Sequence, residues 1–147
     1  MYSEKISDLI SKAEKGLTSY QIELGDSYLN GIGYDGKAFP QDFSKAKYWL
    51  EKAHERGAFT ATVILGTMYE NGNGVDKDTL KAIKLYEHAA SQGAYLPCLY
   101  LARIYSKGID IPLSVKKATK WYKQVLLFEG EIESEVEMGE ARQFLSQ

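Results

Sequence analysis

Few residues in this chain offer chemistry. Gly31-Ile32-Gly33-Tyr34-Asp35-Gly36 matches the Gly-x-Gly-x-x-Gly pattern that cradles dinucleotide phosphates. That chemistry needs a strand before the glycines and a helix N-terminus directly after them. Here a helical stretch precedes the motif and an inserted segment follows it, so nucleotide binding is not expected. His54 and His88 are the only histidines, and neither has a second His four residues away, the spacing a metal-binding helix uses. Both are read as surface or hydrogen-bonded side chains. Cys98 is the single cysteine, which excludes an internal disulfide and a cysteine zinc cluster. It is expected to be a buried, inert thiol. An enzyme needs two or three ionisable groups converging in a pocket. No spacing here supplies them, and no cofactor or metal is expected.

The composition narrows the classes further. Of 147 residues, 44% are hydrophobic and 26% charged, the balance of a globular domain. Lys and Arg number 18 against 20 Asp and Glu, for a net charge of -2. Such a chain carries no broad electrostatic footprint for nucleic acid. No apolar run approaches the ~18 residues of a membrane span. Met1-Tyr2-Ser3-Glu4-Lys5 lacks the layout of a signal peptide, so a cytoplasmic location is expected.

The strongest signal is a period. Gly16, Gly57, Gly93 and Gly130 are each followed nine residues later by a small residue: Gly25, Gly66, Ala102 and Gly139. Tyr28, Tyr69 and Tyr105 stand three residues beyond the first three of these, then Gly31, Gly72 and Gly108. Asp42, Asp78 and Ser114 follow, then Lys45, Lys81 and Lys117, each directly before an alanine. Gly66 to Ala102 spans 36 residues and Gly25 to Gly66 spans 41, so the first unit carries five extra residues between Gly33 and Asp42.

Each unit reads as two helices. Ala61, Ile64, Leu65, Met68 and Tyr69 lie on one helical face, and the glycine–asparagine run Asn71–Gly74 ends that helix. Asp78 is a natural N-cap for the next helix, with Ser114 in the same place one unit later. That second helix buries Ala82, Leu85, Tyr86 and Ala89, and Gly93 closes it. Tyr28, Tyr69 and Tyr105, like Trp49 and Trp121, are read as packing residues. Neither helix can bury its apolar face alone, so the units must stack. The expected organisation is one repeat domain over 1–147. It comprises a capping helix at 4–16, repeat 1 at 19–57 with an inserted loop at 34–41, repeat 2 at 58–93, repeat 3 at 94–130 and a capping helix at 131–147. The acidic run Glu129, Glu131, Glu133, Glu135, Glu137 and Glu140 is read as the solvated side of that last helix, or as a dock for a basic partner.

Leu65-Gly66-Thr67-Met68-Tyr69-Glu70-Asn71-Gly72-Asn73-Gly74, continued through Asp78, Lys81, Ala82, Tyr86, Ala89 and Gly93, resembles the Sel-one-like repeat (SLR), a relative of the tetratricopeptide repeat. Leu24-Gly25 through Gly57 is a second copy. A third is degenerate, with Ala102 for the first glycine and Ile109-Asp110-Ile111-Pro112 for the second. The resemblance implies an all-α fold, a right-handed α-α superhelix (solenoid) of about three helix pairs with terminal half-units. It also implies protein binding without chemistry. Cysteine-rich relatives join two cysteines within each repeat, and this chain is not of that kind.

In such arrays the first helices line a concave face. By register, Asp26, Thr67 and Arg103, then Asn30, Asn71 and Lys107, then Ile22, Val63 and Leu99 should project into it, with Glu70 beside them. No structural position explains Arg103 and Lys107, so they are the leading contact candidates or, failing that, free solvated cations. The Glu23 and Ser27 face of the first unit is polar where Ile64 and Met68 are apolar one unit later. The inserted loop, with Tyr34 and Phe39 read as exposed, is a second candidate contact, since binding residues concentrate on loops. The expected function is a non-catalytic adaptor, scaffold or regulator that binds another protein, with no nucleic acid, membrane or metal partner. The alternatives are an immunity protein blocking a toxin or enzyme and, less favoured, a hydrolytic enzyme.

Overall fold

The computed structural model describes residues 4–128, 130 and 134–147. They form eight helices: α1 (Glu4–Glu14), α2 (Thr18–Asn30), α3 (Phe43–Glu55), α4 (Phe59–Asn71), α5 (Thr79–Ser91), α6 (Tyr95–Lys107), α7 (Val115–Leu126) and α8 (Glu135–Leu145). Among the described residues the only β-type pairing is an isolated antiparallel bridge between Ile32 and Ala38. The helices gather into two compact units, Met1–Lys77 and Asp78–Gln147.

Two kinds of helix alternate because two kinds of end signal alternate. α2, α4 and α6 each finish on a left-handed glycine, Gly31, Gly72 or Gly108, whose N–H returns to a carbonyl four residues back. α3, α5 and α7 each start from a side-chain cap. Asp42, Asp78 and Ser114 accept from the N–H of Lys45, Lys81 and Lys117 at 3.0, 2.9 and 3.2 Å.

In the first unit α2 packs on α1 and α3, and α3 on α4. Leu24, Ala46, Leu50, Ala53 and Ala61 are fully buried there. Gly25 is the close-approach point: a Cβ at this position would lie 2.7 Å from Leu50 Cγ and 3.3 Å from the Ala46 carbonyl. In the second unit α6 packs on α5 and α7, and α7 on α8. Tyr86, Leu99, Leu101, Ala102, Val125 and Ala141 are fully buried.

The repeat tyrosines Tyr28, Tyr69 and Tyr105 are all buried, as their spacing implies, and so is Trp49. Trp121 is half-buried. The repeat lysine has a visible role in two copies: Lys45 Nζ lies 5.4 Å from the centroid of the Tyr28 ring, and Lys117 Nζ lies 4.9 Å from that of Tyr105.

The five extra residues of the first unit are looped out without disturbing the helix pair. The N–H of Asp42 donates to the Tyr28 carbonyl at 2.9 Å, and the N–H of Ser114 donates to the Tyr105 carbonyl at 3.0 Å. The helix-to-helix closure is therefore the same with and without the insertion. The inserted segment is itself a small hairpin, closed by Phe39 N–H to Gly31 O, Gly33 N–H to Lys37 O and Gly36 N–H to Gly33 O at 2.8–2.9 Å.

Candidate protein-binding surface

The glycine motif is accounted for by this architecture. Gly31 N–H donates to Ser27 O, while Gly33 and Gly36 N–H close the hairpin. No motif glycine has an N–H left to receive a phosphate, which is what a dinucleotide loop requires. His54 is held by its own fold. Its Nδ1 forms a 2.7 Å hydrogen bond with Thr62 Oγ1, which also lies 3.2 Å from the Ala58 carbonyl. His88 is exposed. Cys98 is buried, and burial pushes its thiol pKa up to about 11, so thiolate is scarce at neutral pH. Among the described residues no group of three His, Cys, Asp or Glu side chains is arranged to hold a metal ion. No described helix is long and apolar enough to cross a membrane.

What remains is surface shape. Between α2, α4 and the hairpin, the first unit has an open hollow of about 720 Å³. Four of the residues expected to contact a partner line it together: Ile22, Asp26 and Asn30 from α2, and Tyr34 from the hairpin. Asn30 Nδ2 donates to Asp26 Oδ1 at 2.8 Å, which orients the carboxylate. Tyr34 is 88% exposed, held out by a hydrogen-bonded turn. Across the hairpin lies a second hollow of about 550 Å³, lined by Ile6 and Leu9 of α1 and by Ala38 and Phe39, and sharing Glu23, Gly33 and Tyr34 with the first. The polar Glu23 position noted in the sequence thus borders two hollows, while Ser27 is buried.

The other expected residues divide. Val63, Thr67 and Glu70 are half-buried on α4, and Asn71 is exposed at its end. None of these lines the larger hollow, to which α4 contributes Thr60 and Ile64 instead. Register had placed Ile64 on the core face, and Thr60 lies one turn before it.

Three expectations are corrected. Leu99 is fully buried, on a helix that packs against α5 and α7 and bonds to α8. Phe39 is 8% exposed rather than displayed: the hairpin folds back and sets its ring edge-on to Tyr28, 4.9 Å between centroids. Arg103 is not a free cation. Its Nη2 lies 2.6 Å from Glu140 Oε2 and its Nε 3.0 Å from Oε1, a two-pronged pair, and the Tyr122 hydroxyl donates to Oε1 at 2.7 Å. The Arg103 hydrogen bonds hold Glu140 below the usual carboxylate range, with help from Tyr122 and the nearby Lys107 charge. Burial, then the bond to Glu140, pushes the Tyr122 phenol up. Lys107 itself is exposed. The acidic helix is therefore turned partly inward, since Glu137 also accepts from the Tyr95 hydroxyl at 3.3 Å. Glu129, Glu131 and Glu133 lie outside the described residues.

Helix pairs with a repeated register define a repeat protein of the helical-pair, solenoid class. The Sel1 repeat model matches residues 18–57, 61–93 and 98–124, and the chain belongs to that family. It is similar to a Sel1 repeat protein from Oxalobacter formigenes, with 34% identity over 98% of both chains and a TM-score of 0.71. It is also similar to a protective antigen with an SLR fold from uropathogenic Escherichia coli, with 26% identity and a TM-score of 0.72 over 95% of this chain and 32% of that one. A comparison with curated proteins found no match. Sel1 repeats in general mediate protein–protein interaction and are typically non-catalytic.

Proposed function

We propose that this chain is a cytoplasmic, non-catalytic adaptor or regulator that binds another protein through the first-helix surface of its Met1–Lys77 unit. The observation that carries this reading is the hollow in which Ile22, Asp26, Asn30 and Tyr34 meet. It joins apolar surface to oriented polar groups, the mixture that specific protein contacts use. Arg103 and Leu99 leave the set of contact residues, because one is paired within its own unit and the other is buried. Val63, Thr67, Glu70 and Asn71 remain as flanking contacts in this unit, and Lys107 remains a separate candidate on the other.

Photocrosslinking in the cells of origin tests the reading. A benzophenone amino acid at Asp26 or Asn71 should trap one discrete protein, while the same group at the exposed second-helix positions Lys84 or Lys116 should not. Equal adducts at all four positions, or none at any, would overturn the surface assignment.

A further inference from the structure

The chemistry of the larger hollow specifies its partner more narrowly, on the premise that the hollow binds protein. Two carboxylates, Glu23 and Asp26, line it, and no Lys, Arg or His does among the described residues. Neither carboxylate meets a cation within ion-pair distance among those residues. The apolar share comes from Ile22, Ile32, Ile64 and the ring of Tyr34. Ile32 is 57% exposed, a large aliphatic surface left to water beside the exposed ring.

Tyr34 also differs from four other tyrosines in what covers it. Lys12 stands over Tyr20, Lys45 over Tyr28, Lys52 over Tyr48 and Lys117 over Tyr105, at 4.9–5.4 Å. No cation of the described residues stands over Tyr34. A ring face with negative quadrupole, two carboxylates without an ion-pair partner among the described residues, and aliphatic walls together complement a long cationic side chain. Its methylene stem would lie on Ile and Tyr surface while its head reaches the ring and the carboxylates.

We infer that the hollow takes a Lys- or Arg-bearing segment of a partner protein with aliphatic neighbours, the cation seated between Tyr34 and the Glu23/Asp26 pair. The second, smaller hollow does not share this preference, because Lys5 and Lys37 line it along with Asp35.

The test is a titration of the isotope-labelled full chain with two capped peptides, acetyl-Leu-Lys-Leu-Lys-Leu-amide and its Glu-for-Lys counterpart, followed by amide NMR shifts. The Lys peptide should give saturable shifts confined to 19–34 and 60–64, with a Kd of about 0.1–1 mM. The Glu peptide should bind at least ~10-fold more weakly, because its charges repel the same carboxylates. The pair Glu23→Gln with Asp26→Asn, and separately Tyr34→Ala, should each weaken the Lys peptide at least ~5-fold with an unchanged helical spectrum. Shifts scattered over other acidic surfaces, equal binding of the two peptides, or undiminished binding by the variants would each overturn the inference. If Asp26 crosslinks a partner in cells while the Lys peptide fails, protein binding stands and the cationic specificity falls. If neither occurs, both fall.

Discussion

Arg103 and Glu140 occupy the same position of the repeat register, each one residue after its unit's small residue, and their side chains meet at 2.6 Å. α6 and α8 thus face each other through equivalent positions, and opposite charge at those positions becomes an internal bond. Tyr122 of α7 ties into the same carboxylate, so three helices converge on Glu140. The pair is about one-third exposed on each side, which limits its worth to that of a well-formed partly buried bridge.

Charge reversal at this pair should therefore be felt in stability. Arg103→Glu sets two carboxylates together and should cost about 1–2 kcal/mol in urea unfolding. Combining it with Glu140→Arg should recover about half of that loss by restoring opposite charge. A double variant no more stable than the sum of the singles would show that the contact does not act as an ion pair.

The same carboxylate makes a pH-dependent contribution. The native Glu140 pKa is held below its ordinary 4.5, so its stabilisation is present above that value and is lost as pH falls through the native pKa. Glu140→Gln keeps the shape and removes the charge. At pH 7 it should be less stable than wild type by about 1 kcal/mol. The gap should hold down to about pH 4.5 and close below it. A gap as large at pH 2.5 as at pH 7 would rule out the charge as its source.

Two glycines of equal register should respond oppositely to alanine. At Gly25 the added Cβ meets the fully buried Leu50 and the Ala46 carbonyl, so Gly25→Ala should cost about 1–3 kcal/mol. At Gly139, in α8, none of the described residues lies within 4 Å of an added Cβ. Gly139→Ala should then stabilise by about 0.5–1 kcal/mol through helix propensity alone. Denaturant midpoints of the two variants decide this directly.

The two aromatic residues of the hairpin should also separate. Phe39→Ala removes a buried ring from Tyr28 and should cost about 3 kcal/mol. Tyr34→Ala, at 88% exposure, should stay within about 0.5 kcal/mol of wild type. Equal melting shifts would mean that the loop does not pack as a hairpin over α2.

The repeat register alone determined the helix pairs, their caps and most of the core. Glycine conformation, side-chain N-caps and 3.6-residue periodicity are local properties, and they recur every 36 residues wherever the insertion is absent. The buried tyrosines followed from the same periodicity. What tertiary structure decided is which register positions stay exposed. Ile22 and Leu99 are equivalent in sequence, yet Ile22 lines a hollow and Leu99 is fully buried, because exposure depends on which side chains pack over a register position and not on the position itself. Asp26 and Arg103 are equivalent too. Arg103 is neutralised by a carboxylate 37 residues away, a distance in sequence that no local pattern encodes, while Asp26 keeps its charge facing the hollow. The inserted loop shows the same division. Its glycines marked a turn, but only the backbone bonds to Gly31 and Lys37 folded it into a hairpin that buries Phe39 and displays Tyr34.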